Sequence, residues 1–152
     1  MLFKELNIGE KVVDDIVSII DKSDLNITKN VNCTRNGYQT DNICNIFSKE
    51  IKKQILPYEN FSDLIFHMHY IEYDDGGYQL KHDHRDSEKF SFILYLNDAD
   101  GKTVFEEPIN QNVKPEKGKL ILFDSSILHY GTESFTRKKV LVGAISKIIR
   151  KY

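Results

Sequence analysis

The chain has 152 residues, enough for one domain that buries a core without disulfides or structural metal. A hydrophobic share of 40% with 11% aromatics excludes wholesale disorder. With 21 Lys and Arg against 23 Asp and Glu, the net charge of −2 gives no general reason to expect nucleic acid or an anionic membrane as partner.

The first predicted helix runs over 9–22, where Val12, Val13, Ile16, Ile19 and Ile20 recur at three- and four-residue steps. A second is predicted from Asp41, as N-cap, to Pro57, with Ile43, Ile46, Phe47, Ile51 and Ile55 as its apolar stripe. The segment 33–40 between them reads as a helix-connecting loop. Beyond residue 63 the period changes to two, and short β-rich runs follow at 66–73, 90–97, 102–107, 119–124 and 139–146. Asp75-Gly-Gly77, Asp100-Gly101, Pro115 with Gly118, and Tyr130-Gly131 punctuate them. Two helices followed by five or more strands predict a sandwich or small barrel braced by helices, and argue against a parallel doubly wound sheet. The expectation is one domain over 1–152, with helical support in 1–60 and a β-core in 63–148.

Cys33 and Cys44 lack the spacing of a disulfide framework or a zinc knuckle. No segment approaches the roughly 18 apolar residues of a membrane span, and the N-terminus lacks the apolar run of a signal peptide. A reduced, soluble, cytoplasmic protein is expected. The basic clusters at 49–53 and 137–139 read as solvated faces.

All five histidines fall in the β-rich part. His67 and His69 alternate with Met68 and Tyr70 and read as ordinary polar strand residues. The stretch Lys81-His-Asp-His-Arg-Asp86 is different, because residues two apart in an extended segment share a face about 7 Å apart. That spacing allows His82, His84 and Asp86 to converge on one point, where a distant histidine can complete a site. Two histidines, one carboxylate and open positions form the ligand set of non-heme Fe(II) oxygenases. Spacing alone does not establish this; the surroundings add to it.

Those surroundings are Tyr73-Asp-Asp-Gly76-Gly-Tyr78 ahead of His82, FSFILYLN at 90–97, Gly101-Lys-Thr103-Val-Phe105, Gly118-Lys-Leu-Ile-Leu-Phe123, and His129-Tyr-Gly131. In order and spacing, over roughly 66–146, they resemble the 2-oxoglutarate/Fe(II)-dependent oxygenases, in particular the prolyl 4-hydroxylase-like branch and its small phage-encoded members. The resemblance implies a double-stranded β-helix (jelly roll, cupin-like), mainly β with N-terminal helices. It implies Fe(II), 2-oxoglutarate and O₂ as cofactors, with ascorbate as a further candidate. It makes His129 the distal iron ligand, places Tyr95 on the far carboxylate of 2-oxoglutarate, puts Tyr73 in the same pocket, and makes 33–40 a border of the substrate channel. The basic anchor for that carboxylate falls on Lys138 or Lys139, with Lys138 favoured and Arg137 chemically attractive.

The register makes His82 the first ligand and puts a histidine, His84, where the family keeps an aspartate. Three arrangements stay open: His82, His84 and His129; a slipped His84 and Asp86 pair; or His82 with Asp86 folded back. The implied activity is hydroxylation of a substrate, by resemblance a peptidyl proline, with release of succinate and CO₂; the substrate class is peptide, protein or small molecule. The rivals are a three-histidine, cupin-like dioxygenase that needs no 2-oxoglutarate, and a non-catalytic jelly-roll binding or structural module.

Overall fold

Alternation of side chains along the central strands divides the interior into two apolar layers. The computed structural model describes residues 1–58, 64–84 and 89–145. Strands β5 (Phe90–Tyr95), β8 (Lys119–Asp124) and β10 (Lys138–Ile145) each send successive side chains to opposite faces. Leu94, Leu120, Leu122 and Leu141 pack under Val13, Ile16 and Ile20 of α1 (Glu10–Lys22) and Ile55 of α2 (Lys49–Ile55). Ile93, Tyr95, Ile121, Phe123 and Val140 face the other way, into a second cluster. With both faces buried, the strands read as nearly continuous apolar runs.

The described strands form one antiparallel ten-stranded sheet in the order β1-β8-β5-β10-β4-β9-β6-β7, with β3 also on β4 and β2 on β3. Here β1 is Phe3–Asn7, β2 Ile27–Lys29, β3 Thr34–Thr40, β4 Ile65–His82, β6 Thr103–Phe105, β7 Gln111–Val113 and β9 His129–Ser134. The sheet curls around the second apolar cluster as a double-stranded β-helix. β4 makes the turn between its two halves: it pairs with β10 over 65–73 and with β9 over 77–82.

Several elements differ from expectation. Asp75-Gly-Gly77 lies inside β4 rather than ending it. Gly76 adopts φ +80°, and a Cβ on Gly77 would stand 2.6 Å from the Asn36 carbonyl, so the two glycines let the strand bend against β3. Tyr130-Gly131 likewise sits within β9. The second helix starts at Lys49, where the Ser48 hydroxyl accepts the Ile51 N–H at 3.2 Å. Residues Cys44–Ile46 form only a 3₁₀ turn. Asn42, beside the predicted cap, instead accepts the N–H groups of Cys44 and Met68, tying this segment to β4. Three strands, β1 to β3, fall in the part read as helical, and 33–40 is largely β3.

Packing between β5 and β10 is close enough to test. A Cβ on Gly143 would lie 2.3 and 2.4 Å from ring atoms of Phe92, which is itself only 1% exposed. Gly143→Ala is expected to destabilise the fold by about 1–3 kcal/mol through overpacking. Denaturant titration at unchanged m-value checks it, and a variant as stable as the parent refutes it.

Candidate metal centre

Strand geometry brings three histidines together. His82 closes β4, and its register partner across the β4–β9 ladder is His129. His84 follows two residues on and folds over the pair. The ligand nitrogens of His82, His84 and His129 all lie within 4.8 Å of one another. Ring centroids are 4.3 Å apart for His82 and His129, 4.7 Å for His82 and His84, and 5.5 Å for His84 and His129.

Backbone carbonyls set the tautomers. The Nδ1 of His82 meets the Leu80 carbonyl at 2.7 Å, and that of His129 meets the Ile127 carbonyl at 3.0 Å. A carbonyl only accepts, so each Nδ1 carries the proton and each Nε2 keeps its lone pair for a metal. Burial, reinforced by neighbouring His82, holds the His129 pKa down at about 3, which keeps the ring neutral at physiological pH. Neutral imidazoles with their second nitrogens tied back suit a first-row divalent ion. Asp86, the alternative carboxylate ligand, lies outside the described residues.

A buried cation lies on β10, the strand that pairs with β4. Lys138 opens β10 opposite Tyr73 and is only 4% exposed. Its Nζ stands 5.2 Å from the Tyr73 ring centroid and 5.9 Å from that of Tyr95. Among the described residues no carboxylate lies within ion-pair distance of it, and burial lowers its pKa to about 8. A Cβ on Gly131 would lie 3.7 Å from this ammonium, so the glycine leaves room for an anion beside it. A buried ammonium with that space beside it fits one carboxylate of a dicarboxylate. The Tyr95 hydroxyl donates to Thr103 Oγ1 at 2.6 Å, and the Tyr73 hydroxyl is hydrogen-bonded to Thr34.

Asn97 explains why Lys138, and not its neighbours, points inward. Its amide donates to the Arg137 carbonyl and accepts the Lys139 N–H, straddling Lys138. Arg137 consequently faces outward, 63% exposed at its side chain, with its Nε 3.1 Å from Glu72. Lys139 also sits opposite Glu72 in the β4–β10 ladder.

A cavity of about 390 Å³ extends from the three histidines. Ile71, Ile93 and Val142 form apolar wall, while Cys33, Gln39, His67 and His69 add polar lining. Sequence reading gave His67 and His69 no role. One signal was available: they share strand parity with Ile71 and Tyr73, the latter already placed in the pocket.

Residues 68–145 match the model of the 2OG-Fe(II) oxygenase superfamily. The chain belongs to that superfamily. No curated protein sequence matches it. Its fold is similar to the viral collagen prolyl hydroxylase of Paramecium bursaria Chlorella virus-1, at 17% identity and TM-score 0.68, covering 97% of each chain. It is similar to a Trichoplax adhaerens prolyl hydroxylase in complex with a hypoxia-inducible-factor peptide fragment, at 14% identity and TM-score 0.66, covering 95% of this chain and 83% of that one. It is also similar to HygX of Streptomyces hygroscopicus with nickel and 2-oxoglutarate bound, at 9% identity and TM-score 0.72, covering 99% and 85%. The oxygenase takes Fe(II), 2-oxoglutarate and O₂ as cofactors, as its superfamily does. Among the described residues no helix is long and apolar enough to cross a membrane.

Proposed function

We propose that this oxygenase hydroxylates a peptide substrate, with a peptidyl proline as the target residue. In this reading His82, His84 and His129 hold the iron. Lys138 holds the far carboxylate of 2-oxoglutarate, with Tyr95 and Tyr73 around it. The observation that carries the reading is the buried Lys138 ammonium, kept without a carboxylate partner among the described residues on the same curled sheet as the three imidazoles. A buried charge is costly unless an anion meets it, and a dicarboxylate cosubstrate supplies one.

When bound, iron and 2-oxoglutarate supply O₂ activation and the oxidising equivalents for hydroxylation, with succinate and CO₂ as coproducts. The chain does the positioning. Leu80 and Ile127 carbonyls orient the His82 and His129 rings. Gly131 leaves space beside Lys138, and Ile71, Ile93 and Val142 keep water from the reacting groups. The prolyl hydroxylases among the structural neighbours, one of them with a peptide bound, support a peptide rather than a small molecule.

The direct test is Fe(II)-dependent conversion of 2-oxoglutarate to succinate, with mass spectrometry of proline-containing peptides for a gain of one oxygen. Absence of succinate from iron-loaded protein would sink the reading. The all-imidazole donor set is the one feature that favours a cupin-type reaction instead. O₂ consumption that continues without 2-oxoglutarate would establish that alternative.

Lys138 also sets a pH dependence. Its free-enzyme pKa of about 8 means the ammonium is present below that pH and is lost as pH rises through it. A bound carboxylate favours the charged form, so affinity for 2-oxoglutarate is expected to be flat below pH 8. Above it, affinity should fall by up to about tenfold per pH unit. Dissociation constants measured from pH 6.5 to 9.5 check this, and a flat profile up to pH 9.5 contradicts it.

A further inference from the structure

The β3 side of the cavity contains a donor and an acceptor that nothing in the metal or cofactor arrangement uses. Gln39 is 8% exposed and lines the cavity. Its Oε1 accepts the Thr34 hydroxyl at 3.2 Å, which leaves its Nε2 hydrogens, and among the described residues no acceptor meets them. His69 lines the same cavity, and its Nδ1 meets the Thr40 carbonyl at 2.9 Å. Because that carbonyl can only accept, Nδ1 is the protonated nitrogen and Nε2 is an acceptor. Gln39 pairs with Ile71 across the β3–β4 ladder. His69, two residues before Ile71 on the same face, is therefore its diagonal neighbour, with backbones about 7–8 Å apart.

We propose that Gln39 and His69 hold one amide group of the substrate, its C=O on Gln39 Nε2 and its N–H on His69 Nε2. This rests on the cavity being the oxygenase's substrate site. A donor and an acceptor on diagonal neighbours can bracket an amide lying between them, because its C=O and N–H point in opposite directions. The apolar wall of Ile71, Ile93 and Val142 takes the flanking aliphatic atoms of a peptide. A polyhydroxylated ligand gains less from that wall, because it has fewer aliphatic atoms to lay against Ile71, Ile93 and Val142. The pair is thus a specificity device for peptidyl substrates, separate from the groups that hold metal and cosubstrate.

The test uses protein loaded with redox-inert Ni(II) and 2-oxoglutarate, and N-acetyl-proline N-methylamide as probe, with binding followed by NMR titration. The matching methyl ester has nearly the same shape but lacks the terminal N–H. In the parent protein the ester is expected to bind about fivefold more weakly than the amide, as befits one lost neutral hydrogen bond. His69→Asn keeps a donor at the Nδ1 position for Thr40 but removes the Nε2 acceptor. It should weaken the amide about fivefold and leave the ester unaffected. Gln39→Met should weaken both probes about fivefold. Equal binding of amide and ester to the parent protein overturns the inference, as does no amide binding, or preferential binding of methyl glucoside. The ester comparison needs no variant, so misfolding cannot obscure it. Succinate formation by the iron-loaded parent protein keeps the two levels apart. If it fails, the oxygenase reading of the site falls; if it proceeds while the probes are indifferent, only the amide pair falls.

Discussion

His129→Ala is expected to lower iron-dependent succinate formation by more than about 100-fold. Even partners one bond removed from a metal typically contribute 10- to 100-fold, and a direct ligand contributes more. His129 is the most buried of the three proposed ligands: it is 2% exposed, held through Nδ1 by the Ile127 carbonyl, and placed by the β4–β9 register opposite His82. His82→Ala should behave alike. The informative comparison lies at the third position. If the three-histidine arrangement is the working one, His84→Ala loses metal and turnover while Asp86→Ala stays within about threefold of the parent. His84→Asp, which restores the carboxylate usual in the superfamily, should keep 2-oxoglutarate turnover. Isothermal titration with Fe(II) or Ni(II) reports metal loss separately from catalysis, and circular dichroism confirms that the alanine variants fold. Strong loss in Asp86→Ala with an active His84→Ala would assign iron to Asp86 and overturn the proposed ligand set.

The second large effect is expected at Lys138, and there stability and function should move in opposite directions. Lys138→Met fills similar volume without charge. In the proposed reading it removes the partner of the far carboxylate, so the KM for 2-oxoglutarate should rise at least about 30-fold, since truncating one member of a desolvated charge pair commonly costs 2–5 kcal/mol. The same change removes a buried ammonium that no carboxylate pairs with at ion-pair distance among the described residues. Thermal stability of the cosubstrate-free protein should therefore hold or increase. A structural role for Lys138 predicts the reverse, a fall in melting temperature with little change in KM. Adding 2-oxoglutarate should raise the melting temperature of the parent and not of the variant, by linkage of binding to folding. Arg137→Ala serves as contrast: its guanidinium pairs with Glu72 on the outside, and KM should change by less than about threefold.

Much of the fold was legible because its strands are either alternating or apolar on both faces. FILYL and LILF announce strands buried on two sides, and the helix over 9–22 shows its stripe without help from anything distant. The elements that escaped detection are those whose stability comes from a partner. β1 reads FKELN and β3 reads TRNGYQT, and neither has a pattern that local physics would favour as a strand. They are strands because β8 and β4 offer them edges. The helix predicted from Asp41 broke for a similar reason. Asn42 finds its hydrogen bonds on β4, and the helix then waits for Ser48 to cap it.

By itself the sequence determined the superfamily, the candidate ligands and their order along the chain, because these depend on residue identity and strand parity. It could not choose between Arg137 and Lys138 by chemistry, since both are cations. The tertiary structure decided which of them points inward, as Asn97 clamps the backbone on either side of Lys138 and fixes which face it occupies. Only the tertiary structure, too, brought His84 onto His82 and His129, and set Gln39 beside His69. Those meetings depend on β4 bending at Gly76 and Gly77 and on the pairing of strands far apart in the chain, which no local pattern encodes.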